Sequence, residues 1–158
     1  MIVLAPPLDS ISKRARPYPA YLLPEHGTAL ALFSAAYLGH NDVIHFARAE
    51  MHTTCVDIDA QRLDAMAEVY PYDWDFVVSD AWEYAEQAEE TWDVVSVDTF
   101  TGDATDRSLQ TLDLWCSLAE KLVTATIADG QTYQAPDGWK ADVFPRSDRA
   151  SWLVLTRD

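Results

Sequence analysis

The chain has few cysteines, few glycines and few basic residues. Its 158 residues include 2 cysteines and 5 glycines. Because Cys55 and Cys116 fit no metal-binding spacing, we expect two buried free thiols and, by default, a reducing, cytoplasmic location. His45 and His52 are spaced neither for a metal site nor for a relay with an acid, so no metal is expected.

The scarcity of basic residues narrows the classes of partner. Lysines and arginines number 11 against 26 aspartates and glutamates, which gives a net charge of −15. Binding to nucleic acid or to anionic lipid depends on basic side chains that neutralise phosphates. We therefore expect no nucleic-acid partner and no membrane association, and we interpret the basic cluster Lys13, Arg14 and Arg16 as part of a solvated arm. No apolar run approaches the roughly 20 residues that span a bilayer.

The sequence does contain a repeated order of strand, turn and helix between residues 36 and 100. Three of the predicted strands end on an acidic residue, namely Asp57, Asp80 and Asp98. In an open parallel sheet, ligands bind at the carboxyl ends of the strands. The pattern therefore predicts that three carboxylates face a single crevice.

Periodicity and turn residues place the other elements of a single domain over residues 28–158. The run 29–38 is almost wholly apolar, and periodicity does not separate a buried strand from a buried helix there; the turn and helix that follow favour a strand over 32–38. The proline-rich residues 1–27 are predicted to form an extended arm that is dispensable for the sheet. The remaining predicted elements are helices over 42–49, 60–69, 81–89 and from 106 or 108 to 121, a strand over 122–127, a loop over 131–139, and a hairpin of strands 141–145 and 152–156.

Together these elements make up an α/β fold, a Rossmann-like doubly wound and mostly parallel sheet that ends in an antiparallel hairpin. With acids after the second, third and fourth strands, this order resembles the class I S-adenosylmethionine-dependent methyltransferases over roughly residues 32–157. Segments 79–84 and 92–100 look most like the spermidine-synthase-like branch of that superfamily. The closing hairpin is not expected of a nicotinamide-binding Rossmann domain.

The resemblance implies S-adenosylmethionine as the cofactor and assigns roles to particular positions. In that family a glycine-rich turn after the first strand approaches the methionine part of the cofactor. Here the turn corresponds to Gly39, His40 and Asn41, and it keeps a single glycine. Asp57 matches the acid that accepts hydrogen bonds from both ribose hydroxyls, a task that suits the two oxygens of a carboxylate.

The resemblance also implies an adenine site and a transfer centre. Asp80 matches the acid near the exocyclic amine of adenine, Ala81 would offer its backbone amide to the ring, and Trp82 would stack on it. Asp98 matches the position beside the transfer centre, where a carboxylate can accept a proton or orient an amine. Phe100 is expected to wall the substrate.

Simpler interpretations remain open. Asp57 and Asp80 lie where helix N-caps are favoured, and Asp98 could organise only the loop that follows it. The leading hypothesis is a methyltransferase that acts on a small molecule or a protein, and the open sheet edges are compatible with a homo-oligomer. One alternative is a degenerate member of the fold that binds a ligand or partner without catalysis. The other is an aminopropyltransferase, which the short chain disfavours.

Overall fold

A seven-stranded mixed sheet forms the centre of the molecule. The structure, a computed structural model, describes residues 14–100, 102–146 and 150–157. The strands are β1 (Thr28–Leu32), β2 (His52–Asp57), β3 (Asp75–Val78), β4 (Trp92–Val97), β5 (Ala119–Ala128), β6 (Trp139–Pro145) and β7 (Ala150–Arg157). Their order in the sheet is β3-β2-β1-β4-β5-β7-β6, in which the first five are parallel and β7 pairs antiparallel with both β5 and β6. The predicted Rossmann-like fold with a closing hairpin is confirmed.

Helices cover both faces of this sheet. They are α1 (Val43–Arg48), α2 (Ala60–Val69), α3 (Ala81–Gln87), α4 (Gly102–Gln110) and α5 (Leu112–Leu118). One apolar core joins α3, α4 and α5 to the sheet through Trp82, Leu109 and Trp115. The other joins α1 and α2 to the opposite face through Phe46 and Met66. This arrangement leaves the carboxyl ends of the parallel strands as the place where a ligand can approach.

The first strand lies earlier than the sequence predicts. The expectation of a strand over 32–38 is wrong, because β1 covers Thr28–Leu32 and Ser34–Tyr37 form a turn of 3-10 helix. Phe33, with φ 66°, turns the chain out of the strand. β1 pairs with both β2 and β4, and residues 29–32 are buried on both faces. A strand buried in this way has no alternation of polar and apolar residues that would reveal its ends.

The helix predicted to run to residue 121 is divided into three pieces. α4 begins at Gly102, α5 ends at Leu118, and residues 119–121 already belong to β5. At the break, Thr111 Oγ1 donates to the carbonyls of Arg107 (3.1 Å) and Ser108 (3.2 Å). Such a side-chain bond competes with the helix ladder and bends the chain.

The part of the arm that is described is joined to the core. Tyr18 is 5% exposed, lies edge-on to Trp152 and stacks on His45. Its hydroxyl is 2.9 Å from Thr124 Oγ1 on β5. These contacts oppose the expectation that the arm is dispensable for the sheet.

Candidate functional site

The site lies where β1 and β4 end side by side. Leu32 pairs with Val97, and the backbone N–H of Asp98 donates to the carbonyl of Leu32 at 3.0 Å. Here the chain order reverses, because β2 and β3 extend to one side and β5 to the other. Such a switch point opens a crevice between the loops that leave the two central strands.

Asp98 lies beneath this crevice, bonded to three of the residues that line it, Asn41, Thr126 and Arg146. It is 5% exposed, and each of its carboxylate oxygens has its own donor. Asn41 Nδ2 donates to Oδ2 at 2.8 Å, and Arg146 Nη1 donates to Oδ1 at 3.1 Å. Burial, and then the negative charge of Asp42, raise the pKa of Asp98 to about 7 against the opposing effect of Arg146. A carboxyl group with such a pKa can exchange a proton near neutral pH.

A second buried carboxylate, Asp42, lies near Asp98. It accepts hydrogen bonds from Ser96 Oγ at 2.6 Å, from Ser34 Oγ at 2.7 Å and from the backbone N–H of Val43 at 2.7 Å. Its burial raises its pKa above the ordinary value, although the hydroxyl donors oppose the shift. The sequence indicates Asp42 only as a helix start. The sequence offers one signal of this contact: Ser34 and Ser96 each lie within an apolar run, where a buried hydroxyl needs a hydrogen-bond partner.

The crevice above Asp98 has a volume of about 340 Å³, at the lower end of the range for small-molecule sites. Its lining comes from the arm, from the loops after β1 and β4, from β5 and from the hairpin: Arg16, Tyr37, Asn41, Thr99, Phe100, Gly102, Thr105, Thr126, Ala128, Gln131, Arg146 and Ala150. Tyr37 and Phe100 lie at its mouth, 45% and 59% exposed, with ring centroids 6.3 Å apart. A larger groove of about 650 Å³ lies beside α4, α5 and residues 132–137, and no strand residue lines it.

The three residues of the predicted cofactor turn, Gly39, His40 and Asn41, have different surroundings. A Cβ on Gly39 would lie 2.6 Å from Val43 Cβ and 2.8 Å from Tyr70 Oη, so packing requires a glycine there. His40 is half-buried, and burial together with the charges of neighbouring arginines lowers its pKa. Asn41 is buried, and its amide donates to Asp98. The structure thus shows a link from this turn to Asp98 that the sequence does not indicate.

Asp57 and Asp80 lie at the ends of neighbouring strands. The N–H of Ser79 donates to the carbonyl of Asp57 at 3.1 Å, which brings the two strand ends together. Asp80 caps α3 by accepting from the N–H of Glu83 at 3.0 Å. Asp57 is half-buried and does not cap α2, since Asp59 takes that role. Neither Asp57 nor Asp80 lines the crevice above Asp98.

Trp82 is less accessible than a stacking role requires. It is 7% exposed, and the guanidinium of Arg107 lies 3.9 Å from the centroid of its ring. Its Nε1 donates to Thr111 Oγ1 at 3.3 Å, and the neighbouring Ala81 is 3% exposed. An adenine ring could stack on Trp82 only after Arg107 moves away.

Comparison with known proteins yields structural relatives only. No family model matches the chain, and no curated protein matches its sequence. An rRNA methylase from Streptococcus thermophilus is similar with a TM-score of 0.62 and 11% identity, over 99% of this chain and 99% of that chain. A ribosomal protein L11 methylase from Lactobacillus delbrueckii subsp. bulgaricus is similar with a TM-score of 0.59 and 14% identity, over 96% and 77% of the two chains. The fold is that of the class I S-adenosylmethionine-dependent methyltransferases.

The methyltransferase fold is also found in a longer protein. TrmN from Thermus thermophilus has a TM-score of 0.68 and 14% identity, and the match covers 96% of this chain but 48% of that one. This chain therefore spans about half the length of TrmN. The similarity extends to the superfamily fold, and the spermidine-synthase-like branch stays a prediction.

The expectation of no nucleic-acid partner is wrong, because an rRNA methylase has this same fold. That expectation depends on a net charge of −15, which averages over the whole surface. Binding depends instead on the local distribution of charge. Arg16 and Arg146 both line the crevice, so the acidic total does not describe the site.

Two further features concern the described part of the chain alone. Within residues 14–100, 102–146 and 150–157, no helix is both long and apolar enough to cross a bilayer. Those residues also contain no cluster of three or more histidines, cysteines or acids that could hold a metal ion.

Proposed function

We propose that this protein is a methyltransferase that uses S-adenosylmethionine. The observation that carries the proposal is the position of Asp98, a carboxylate with fixed partners, at the β1–β4 switch point of a methyltransferase fold. In this fold class the strand ends are the ligand-binding edge. The arrangement supports transfer to an acceptor held in the crevice above Asp98.

Cofactor binding is proposed along the ends of β1, β2 and β3. Asp57, half-buried and not used as a helix cap, suits two ribose hydroxyls. Asp80 and the backbone of Ala81 would hold the adenine. The turn at Gly39 would face the methionine part, but its only glycine is committed to packing. We therefore expect weak binding, in the range of tens of micromolar or weaker.

The bound cofactor supplies an activated methyl group, so the protein's task is alignment of the acceptor. Asp98 would accept a hydrogen bond or a proton from the attacking atom. Asn41 and Arg146 hold its two oxygens, and Phe100 would wall the acceptor at the mouth of the crevice. The proposed acceptor is a small molecule, a protein side chain or a nucleic-acid base that enters the crevice. The buried thiols of Cys55 and Cys116 support a cytoplasmic location.

Calorimetry tests the cofactor directly. We expect heat of binding with S-adenosylmethionine or S-adenosylhomocysteine and none with NAD. Binding of NAD alone, or of none of the three, would contradict the proposal. In the second case the degenerate, non-catalytic alternative would replace it, and tighter binding of the decarboxylated cofactor would favour aminopropyl transfer.

Two variants then separate binding from turnover. Asp57→Ala removes the proposed ribose acceptor; hydrogen bonds to a charged group contribute roughly 1.5–3 kcal/mol each, so the Kd should rise tens-fold or more. Asp98→Asn should leave the Kd within a few-fold and lower kcat for the acceptor that is found.

The matched control is Asp64→Ala, an exposed acid on α2, which should bind as the wild type does. Thermal melts of each variant come first, and an unchanged Kd for Asp57→Ala would show that the ribose site lies elsewhere.

A further inference from the structure

We propose that Arg146 is a positioning residue that fixes the carboxylate of Asp98 beneath the crevice and favours its ionised form. The proposal rests on the proposed function in so far as Asp98 faces the acceptor. It assigns a role to the C-terminal hairpin, because Arg146 directly follows β6. The sequence by itself indicates this residue only as part of a polar turn.

Three neighbouring strands fix the guanidinium of Arg146. The side chain is 3% exposed, and its Nη1 lies 3.1 Å from Asp98 Oδ1. The same nitrogen donates to Thr126 Oγ1 on β5 at 3.3 Å. The guanidinium also lies over the ring of Trp152 on β7, 4.7 Å from its centroid. A cation held in this way has little freedom to leave the carboxylate.

The carboxylate is held from its other side as well. Asn41 Nδ2 donates to Asp98 Oδ2, and Asn41 Oδ1 in turn accepts from Arg16 Nη1 at 3.3 Å. Oδ1 accepts from Arg146 Nη1 and, at 3.5 Å, from Thr126 Oγ1, so the shorter bonds from Asn41 and Arg146 set the plane of the Asp98 carboxylate. Removal of Arg146 would leave Oδ1 with only the longer bond from Thr126.

Charged and titratable groups reach Asp98 from several elements. Asp42, before α1, raises the pKa of Asp98 through its negative charge. Tyr18, in the arm, interacts electrostatically with both Asp42 and Asp98. Arg16 donates to Asn41, which in turn donates to Asp98. Burial and Asp42 both favour the neutral form of Asp98, whereas Arg146 and Asn41 favour the charged form. Among the groups that favour the ionised form of Asp98, Arg146 therefore has the largest effect. Without it, Asp98 should carry a proton at neutral pH and lose its capacity to accept one.

Carboxyl carbon NMR tests this on the isolated protein, with no acceptor needed. The protein is labelled at the side-chain carboxyl carbon of aspartate, and the Asp98 signal is assigned as the one missing from Asp98→Asn. We expect it to titrate near neutral pH in the wild type. In Arg146→Gln its midpoint should rise by about one to three pH units. Arg146→Lys, which keeps the charge, should restore most of the wild-type midpoint.

The matched control is Arg157→Gln on the same hairpin. Arg157 also lies over a tryptophan ring, Trp139, at 4.7 Å, but it donates to backbone carbonyls of β5. Its loss should leave the Asp98 titration unchanged. A midpoint in Arg146→Gln within a few tenths of a unit of the wild type would overturn the proposal, as would an equal rise in Arg157→Gln.

A second variant covers the case in which Arg146→Gln does not fold. Arg146→Met keeps a long side chain and removes the charge without burying an unpaired amide. It should raise the Asp98 midpoint as Arg146→Gln does, and no rise would overturn the proposal. The titration does not depend on calorimetry with S-adenosylmethionine, so failure of the proposed function and failure of this inference are distinguishable.

Discussion

At the scale of single residues, Gly39 combines a place in the proposed cofactor-binding turn with a strict packing requirement. Its φ is 75°, and a Cβ there would approach Val43 and Tyr70 more closely than van der Waals contact allows. Gly39→Ala should therefore destabilise the protein by about 2–4 kcal/mol, from overpacking together with left-handed strain. Urea denaturation measures the change.

Gly130→Ala is the control for Gly39→Ala. Gly130 has a similar φ of 81°, but no atom lies within 4 Å of the position that a Cβ would take, so it carries the strain without the clash. Its loss of stability should be about 1–2 kcal/mol. Equal losses in the two variants would show that the contacts around Gly39 relax at no cost.

At the scale of elements, the segment around Tyr18 packs against the core, although the sequence predicts an extended arm that is dispensable for the sheet. Tyr18 fills the space between α1 and the hairpin, and Pro17 accepts a hydrogen bond from Trp152 Nε1 at 3.2 Å. Tyr18→Ala should cost about 3–5 kcal/mol of stability, as other buried aromatic truncations do. Deletion of residues 1–20 should lower the melting temperature for the same reason.

Tyr21→Ala is the matched control in the same segment, because Tyr21 is 78% exposed. Its effect should stay within about 0.5 kcal/mol. Chemical denaturation of both variants gives the comparison. A wild-type melt after deletion of residues 1–20 would show instead that the arm is dispensable.

At the scale of the whole molecule, the buried carboxylates make stability depend on pH. Burial raises the pKa of Asp98 to about 7, and the pKa of Asp42 is also raised. A carboxyl group with a raised pKa in the folded state contributes stability that is complete below its unfolded value and is lost as pH rises through the folded value. The urea midpoint should therefore fall as the pH rises from about 4 to about 7.

Asp98→Asn isolates this contribution. His40 and His45 have pKa values that burial lowers, so their contribution to stability rises with pH over part of this range. Their effect is common to both proteins and cancels in the comparison. The midpoint of Asp98→Asn should change less between the two pH values than that of the wild type, and an equal change would contradict the raised pKa of Asp98.

The sequence alone determined the order of the strands after residue 50 and the placing of Asp57, Asp80 and Asp98 at strand ends. These features follow from local rules: strands and helices differ in the period of their apolar residues, and acids are favoured where a strand turns into a helix. The helix predicted over 60–69 has those bounds in the structure. The first strand could not be placed, because burial on both faces removes the periodicity that local rules depend on.

Only the tertiary structure determined the partners, the burial and the pKa of Asp98. Its partners Asn41 and Arg146 are 57 and 48 residues away in the chain, and they meet it only because β1 and β5 flank β4 and the hairpin folds back beside β5. The same folding brings Ser34 and Ser96 to Asp42. Burial and charge set the pKa of a carboxylate, and both depend on neighbours in space that no local pattern in the sequence identifies.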